Sequence, residues 1–321
     1  MTNLSATATL LKRRSELYHS VRRFFYQRHV LEVQTPVLSF AAPTAPYLDS
    51  FSTTRRLGQR QQNLYLQTSP EFAMKRLLAA GSGAIFQICP VFRHGEAGKQ
   101  HSPEFTMLEW YRPGFTLTDL MDEVDALIQS ILACPPAKRL TYAQAFNDVL
   151  SVDIFYADSQ QLRQLARQHI AGLPTDWQRD KDGWLELLMS EVIEPAFKNA
   201  SQPVMISDFP ASQAQLATCH ANAEGHPVAA RFELYLGGLE LANGYHELAD
   251  ADELARRFKA DNVQRKQLGL PEMPIDTHLL AALEADFPDC SGVALGLDRL
   301  LMLLMDVDNI DAVQAIPFET A

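Results

Sequence analysis

Apolar residues recur at Leu10, Leu11, Leu17, Val21, Phe24 and Phe25, a spacing that lays one apolar stripe along a helix over residues 8–29. Val30–Val33 reads as a short strand stopped by Pro36, and Asn63–Gln67 as a second strand. Ser69-Pro70-Glu71 has the composition of a helix start: a hydroxyl to cap, a proline where the N–H is spare, and a carboxylate at the positive end of the dipole. Gly81 closes that helix. Ile85–Arg93 and Glu104–Arg112 flank a polar loop, which predicts a long antiparallel hairpin. A helix is expected over Thr118–Leu132, and Pro135-Pro136 then breaks the chain. From about Leu140 to Ala200 the pattern is mainly helical and carries no chemical motif, so it reads as an insertion in a single domain spanning residues 1–321. Val204–Ser207 is a short strand, and Val228–Leu236 with Leu239–Asn243 forms a second hairpin turned by Gly237-Gly238. A helix over 251–268, a strand at Gly292–Gly296 and an apolar helix at Leu297–Met305 complete the pattern. Strands arriving as hairpins with helices around them predict an α+β fold on an antiparallel sheet, not a doubly wound parallel one.

Composition narrows the picture without changing it. Apolar residues at 47% and charged residues at 21% are ordinary globular usage. Cys89, Cys134, Cys219 and Cys290 are far apart and form no CxxC pair, so neither a zinc ribbon nor a disulfide framework is expected. No run of 18 apolar residues and no signal-peptide order occurs, which leaves a cytoplasmic protein away from the membrane as the expectation. The net charge of −11 opposes a general nucleic-acid footprint. Lys12, Arg13, Arg14, Arg22, Arg23 and Arg28 give the opening helix a basic face, which is either solvated or turned to an acidic partner.

Two motif-like strings carry little. Gly95-Glu96-Ala97-Gly98-Lys99 lacks the first glycine and the final Ser or Thr of a phosphate loop, and His246-Glu247-Leu248-Ala249-Asp250 lacks the second histidine of a zinc helix. The hairpins say more. A two-residue turn at Gly237-Gly238 pairs Tyr235 with Glu240 and makes Glu233 its diagonal neighbour, roughly 7 Å away. Two carboxylates so placed suit magnesium bridged to phosphates, and an exposed acidic face fits them equally. On the first hairpin Phe105, Glu109 and Tyr111 share a face by alternation, and Arg93 on the opposite strand suits a phosphate or carboxylate.

Several segments together carry a family resemblance: Thr68-Ser-Pro-Glu-Phe-Ala-Met-Lys-Arg76, Val91-Phe-Arg93, His101-Ser-Pro-Glu-Phe-Thr-Met-Leu-Glu109, Leu239-Glu-Leu-Ala-Asn-Gly-Tyr-His-Glu247 and Gly292-Val-Ala-Leu-Gly-Leu-Asp-Arg299. The chain resembles the class II aminoacyl-tRNA synthetases, specifically the lysyl branch. That resemblance implies a six- to seven-stranded antiparallel sheet flanked by helices, a homodimer formed through the opening helix and the strand ending at Pro36, and ATP with Mg2+ as cofactors. It gives Arg93 the α-phosphate and the substrate carboxylate, and Phe105 the adenine, with Arg299 on the other side. Arg93 and Arg299 are thus the catalytic arginines. His101 approaches the γ-phosphate, and Glu233 and Glu240 carry magnesium. Ser69, Glu71, Glu109, Tyr111, Asn243, Glu247 and Ala294 line the amino-acid pocket, and several carboxylates in one pocket imply a diamine. The family's adenine-contacting glutamate is displaced by one position to Glu96, and Gln100 stands where an arginine is usual.

The departures from the family indicate a branch. The first helix begins close to Met1, so no anticodon-reading OB-fold is expected. A freestanding catalytic domain is similar to the lysyl-synthetase paralogues that aminoacylate a lysine of translation elongation factor P, which implies (R)-β-lysine or lysine as substrate, elongation factor P as acceptor, and no tRNA. Ala294 and Ser69 replace the family's glycine and alanine, and are expected to favour an amino group on the β-carbon. A truncated enzyme that charges tRNA and a non-catalytic regulatory subunit are the alternatives. The acidic balance opposes the first, and the joint presence of Arg93, Glu233, Glu240 and Arg299 opposes the second.

Overall fold

In a computed structural model, residues 4–174 and 176–321 are described. The chain divides into two compact units, one made of Met1–Thr116 with Glu247–Ala321 and the other of Leu117–His246.

The first unit opens with α1 (Leu4–Tyr26). Its apolar stripe buries Leu10, Leu17, Val21, Phe24 and Phe25, and the Phe25 ring stacks on Phe86 with centroids 4.7 Å apart. Two short strands follow, β1 (Leu31–Glu32) and β2 (Leu38–Ser39), then β3 (Ser52–Leu57) and β4 (Arg60–Leu66). The last three form a small sheet in the order β2-β4-β3. Next come α2 (Glu71–Ala79), β5 (Ile85–Phe92) and β6 (Glu104–Pro113), the predicted hairpin.

The second unit begins with α3 (Leu117–Leu132) and β7 (Lys138–Thr141). The helical stretch that follows contains α4 (Tyr142–Leu150), α5 (Ser159–His169), α6 (Lys181–Leu188) and, through a π-turn at Met189–Ile193, α7 (Glu194–Ala196). Thr141, Asp158 and Asp180 each cap a helix by accepting a backbone N–H, which satisfies donors that the first turn leaves orphaned. Strands β8 (Val204–Pro210), β9 (Cys219–Ala221), β10 (Pro227–Leu236) and β11 (Leu239–His246) complete the unit. Their order is β11-β10-β8-β7 with β9 on β10. Tyr142, Phe146, Trp184, Leu188, Ile206 and Tyr235 belong to its core.

The chain returns to the first unit with α8 (Ala251–Gln267), α9 (Thr277–Asp286), β12 (Cys290–Gly296) and α10 (Leu297–Met305). Strand β12 pairs antiparallel with β6, giving the order β1-β5-β6-β12. Strand pairing is mostly antiparallel, with parallel pairs at β1–β5 and β7–β8 that alternation alone does not predict. From α8 the fully buried Arg265 donates to the carbonyls of Pro271 and Ala45 and to Asp49 at 2.9 Å. It fixes the loop that precedes β3.

Candidate active site

Three strands of the first unit build the floor of the site. Tyr111 is flanked by Ile85 and Gly292, Glu109 by Gln87 and Ala294, Met107 by Cys89 and Gly296, and Phe105 pairs with Val91. Directly opposed residues share a face, so a single carboxylate, Glu109, stands in the middle of this floor. It is only 2% exposed. Its Oε2 accepts from the Ser69 hydroxyl at 2.7 Å and its Oε1 from the Tyr111 hydroxyl, also at 2.7 Å. Gly292 has no side chain because none fits: a Cβ there would lie 2.3 Å from the Tyr111 ring and 2.6 Å from Glu247 Oε1.

Helix α2 supplies the wall. Glu71 and Lys75 are one turn apart, and Lys75, 1% exposed, donates to Glu71 at 2.7 Å and meets Glu247 at 2.6 Å. Ser69 does not cap this helix as its sequence suggests. The capping position is Pro70, and the Ser69 hydroxyl accepts the Glu71 N–H at 3.0 Å while donating to Glu109. Its geometry is thus spent on the pocket. Lys75 is paired with Glu71 and Glu247, and among the described residues no cation is paired with Glu109, so the pocket is short of positive charge.

The electrostatics follow from that shortage. Burial pushes Glu109 up to about 8, and the charge on Glu71 adds to the effect. Burial also raises Glu247, to about 7, against the pull of Lys75. Burial would by itself lower the Lys75 ammonium, but Glu247 and Glu71 outweigh it and hold the group above its ordinary value. Tyr111 is pushed well above the usual phenol range by burial and by Glu109.

Two smaller groups adjoin this floor. The Arg93 guanidinium lies 5.1 Å from the Phe105 ring centroid, donates to the Thr68 carbonyl at 3.4 Å and reaches Glu96 at 3.5 Å. Arg299 approaches His101 Nε2 at 2.8 Å and donates to the Gln100 carbonyl at 3.3 Å. Burial lowers the His101 pKa, and Arg299 lowers it further, so the ring is neutral with Nε2 accepting.

In the second unit the hairpin turns at Gly237-Gly238 and pairs Tyr235 with Glu240, but a bulge between Leu234 and Tyr235 brings Asn243 opposite Glu233. That register shift replaces the simple diagonal expected of Glu233 and Glu240. The cation beside Glu233 is Arg231, and Tyr235 and Asn243 also donate to its carboxylate. Asn243 therefore faces Glu233, and its own Oδ1 is buried without a partner.

Beyond this geometry stand the known proteins. The family model for class II tRNA synthetases of the D, K and N type matches residues 3–320. The chain is a class II tRNA synthetase family member. The family's relatives include elongation factor P–(R)-β-lysine ligases. That of Vibrio cholerae is 49% identical over 320 residues, covering 99% of this chain and 98% of its own. Those of Mannheimia succiniciproducens and Salmonella arizonae are each 48% identical over 99% of this chain and 97% of theirs. Within this class II frame, Lys75 and Gly292 are the pocket residues whose contribution sequence reasoning left unassigned. The Glu71–Lys75 spacing was the available signal for the first. A proton linkage follows for a class II pocket of this charge. Glu109 and Glu247 bind protons near neutral pH, and a cationic ligand favours their ionised forms, so ligand affinity rises between about pH 6 and pH 8 with release of protons. Calorimetric titration of a diamine in buffers of different ionisation heat measures it. The unliganded protein has the opposite trend, because carboxyls raised in the folded state lose stability as pH climbs through their folded values.

Proposed function

We propose that the chain activates (R)-β-lysine, or lysine, as its adenylate at the expense of ATP and transfers it to a lysine side chain of translation elongation factor P. The observation that carries the reading is the excess of buried carboxylate over cation around Glu109, which calls for a ligand with a second ammonium group. The names of the relatives supply the acceptor and the β-amino acid.

In this reading Glu71, Glu109 and Glu247, with Ser69 and Tyr111, take the substrate's ammonium groups, while Ala294, opposite Glu109, adds a methyl to the floor. The substrate carboxylate attacks the α-phosphorus in line, a P–O bond forms and pyrophosphate leaves. Arg93 holds the charge that develops on the α-phosphate, and Phe105 stacks on adenine with Arg299 opposite. His101, neutral and beside Arg299, accepts or donates at the far phosphates, and Glu96 contacts the base. The neutral amine of the acceptor lysine then attacks the adenylate's carbonyl carbon, forming an amide and releasing AMP.

Magnesium supplies charge neutralisation on the phosphates when bound. Glu240 and, on exchange of one of the donors that Arg231, Tyr235 and Asn243 now direct at it, Glu233 would offer hard oxygens on adjoining strands, and among the described residues no group of three His, Cys, Asp or Glu side chains could hold a metal alone. Two carboxylates completed by phosphate and water oxygens fit that ion's preferences. A homodimer through α1 and the segment ending at Pro36 agrees with the exposed Leu11, Tyr26 and Leu31. Among the described residues no helix is long and apolar enough to cross a membrane, and the cytoplasm is the compartment that goes with a translation factor as acceptor.

The test is mass spectrometry of elongation factor P after incubation with the chain, ATP and (R)-β-lysine, beside a tRNA charging assay. A β-lysyl mass gain on the factor without charged tRNA is expected. Charged tRNA with an unmodified factor would restore the synthetase alternative.

A further inference from the structure

The hairpin β3–β4 is basic in an acidic chain. From Ser50 to Pro70 there are three arginines and no aspartate or glutamate, in a protein of net charge −11. All six residues of β3 are exposed, as are Arg60, Gln61, Gln62 and Asn63 of β4. Arg55, Arg56 and Arg60 therefore stand in solvent, and among the described residues no carboxylate pairs with them. Several other arginines of the chain are paired: Arg14 with Asp298, Arg22 with Glu32, Arg139 with Asp122 and Arg231 with Glu233. Asp49, the acid that precedes the hairpin, is already taken by Arg265 at 2.9 Å. Arg55 is held outward by Gln62, 3.0 Å away, and by the exposed Phe40 ring at 5.6 Å.

The root of the hairpin is tied to the reactive end of the first unit. Just before β3, the Asp49 carbonyl accepts the His94 N–H at 2.8 Å, and the Phe51 ring meets the His94 ring edge-on at 5.0 Å. Just after β4, the Gln67 carbonyl accepts the Phe92 N–H at 2.9 Å, and the Thr68 carbonyl accepts from Arg93. Ser69, which holds Glu109, is the next residue. The arm is thus continuous at one end with Ser69 and at the other with the loop that carries Arg93.

We propose that the Arg55–Arg56–Arg60 hairpin is the docking arm for an acidic face of the acceptor protein. This deepens the transfer reading above and rests on it. A chain so rich in carboxylates repels an acidic partner over most of its surface, and on the arm that repulsion is replaced by unpaired cations. Three arginines on a chain of this net charge suit the local carboxylates of a protein better than the uniform phosphates of a nucleic acid. A free outer strand carrying charge could otherwise serve only to prevent edge-to-edge pairing.

The experiment compares the wild-type chain with R55E/R56E/R60E, and with the milder R55Q/R56Q/R60Q, in direct binding of elongation factor P, in transfer to it, and in amino-acid-dependent pyrophosphate exchange. The reversed variant is expected to bind and modify the factor about tenfold or more weakly at low salt. The wild-type affinity falls with salt and the variant's does not, while exchange stays at wild-type level and shows the fold intact. Unchanged binding and transfer would overturn the docking arm and leave edge protection. Binding of bulk tRNA by the wild type, lost in the variant, would also overturn it in favour of a nucleic-acid partner. Absence of exchange in the wild type would instead sink the activation reading, and the binding comparison would still decide the arm.

Discussion

Replacing Lys75 with methionine is expected to abolish amino-acid-dependent exchange and to lower stability by about 3–5 kcal/mol, the usual consequence of removing one partner from a buried ion pair. Lys75 is the shared counter-ion of Glu71 and Glu247, at 2.7 and 2.6 Å, and nothing else among the described residues neutralises them. Without it Glu247 takes up a proton more readily, so the loss shrinks as the pH is lowered. The double variant Lys75→Met, Glu247→Gln removes charge together with counter-charge and regains part of the stability. It does not regain activity, because Glu71 has lost its anchor. Thermal unfolding at two pH values, with exchange measured on the same samples, separates the two effects. A Lys75→Met protein that activates lysine normally would refute the role given to this residue.

Gly292→Ala is the second large effect. The cost lies in space rather than in backbone conformation, since the added methyl would sit 2.3 Å from the buried Tyr111 ring and 2.6 Å from Glu247 Oε1. Overpacking of this kind costs about 1–3 kcal/mol. The ring must shift, and with it goes the 2.7 Å hydrogen bond from Tyr111 to Glu109. Misplacement of pocket groups by about 1 Å lowers rates roughly 10²-fold, which is the fall expected in exchange. Adding Tyr111→Leu relieves the clash with the ring and, with the contact to Glu247 remaining, restores part of the stability without restoring exchange. Steady-state exchange and thermal unfolding of the single and double variants check both statements.

Much of this was legible in the sequence because it is local. Alternation along Glu104–Arg112 put Phe105, Glu109 and Tyr111 on one face, and the observed bond between Glu109 and Tyr111 requires that face. Gly237-Gly238 set the turn of the second hairpin, and the apolar run Leu297–Met305 is α10 to the residue. What escaped depends on contacts distant in the chain or on absent pattern. Strand β3 has both faces in solvent, so Ser52–Leu57 shows no alternation to find. The bulge at Leu234/Tyr235 moves Glu233 by one partner and is set by packing of the two strands, not by either alone. Ser69 has the chemistry of a cap, but a buried carboxylate 40 positions away claims its hydroxyl. Lys75 lies one turn from Glu71, but its second partner, Glu247, is far away in the chain and shows in no local pattern. The parallel strand pairs are likewise products of tertiary contact.

A pocket with two buried carboxylates, Glu109 and Glu247, the half-buried Glu71 and, among the described residues, one paired cation is expected to activate a diamine amino acid. Pyrophosphate exchange with (R)-β-lysine, L-lysine and norleucine, which keeps the chain length but lacks the second ammonium, tests it most directly. Exchange is expected with (R)-β-lysine, less with L-lysine and none with norleucine. Exchange with norleucine equal to that with either lysine would contradict it.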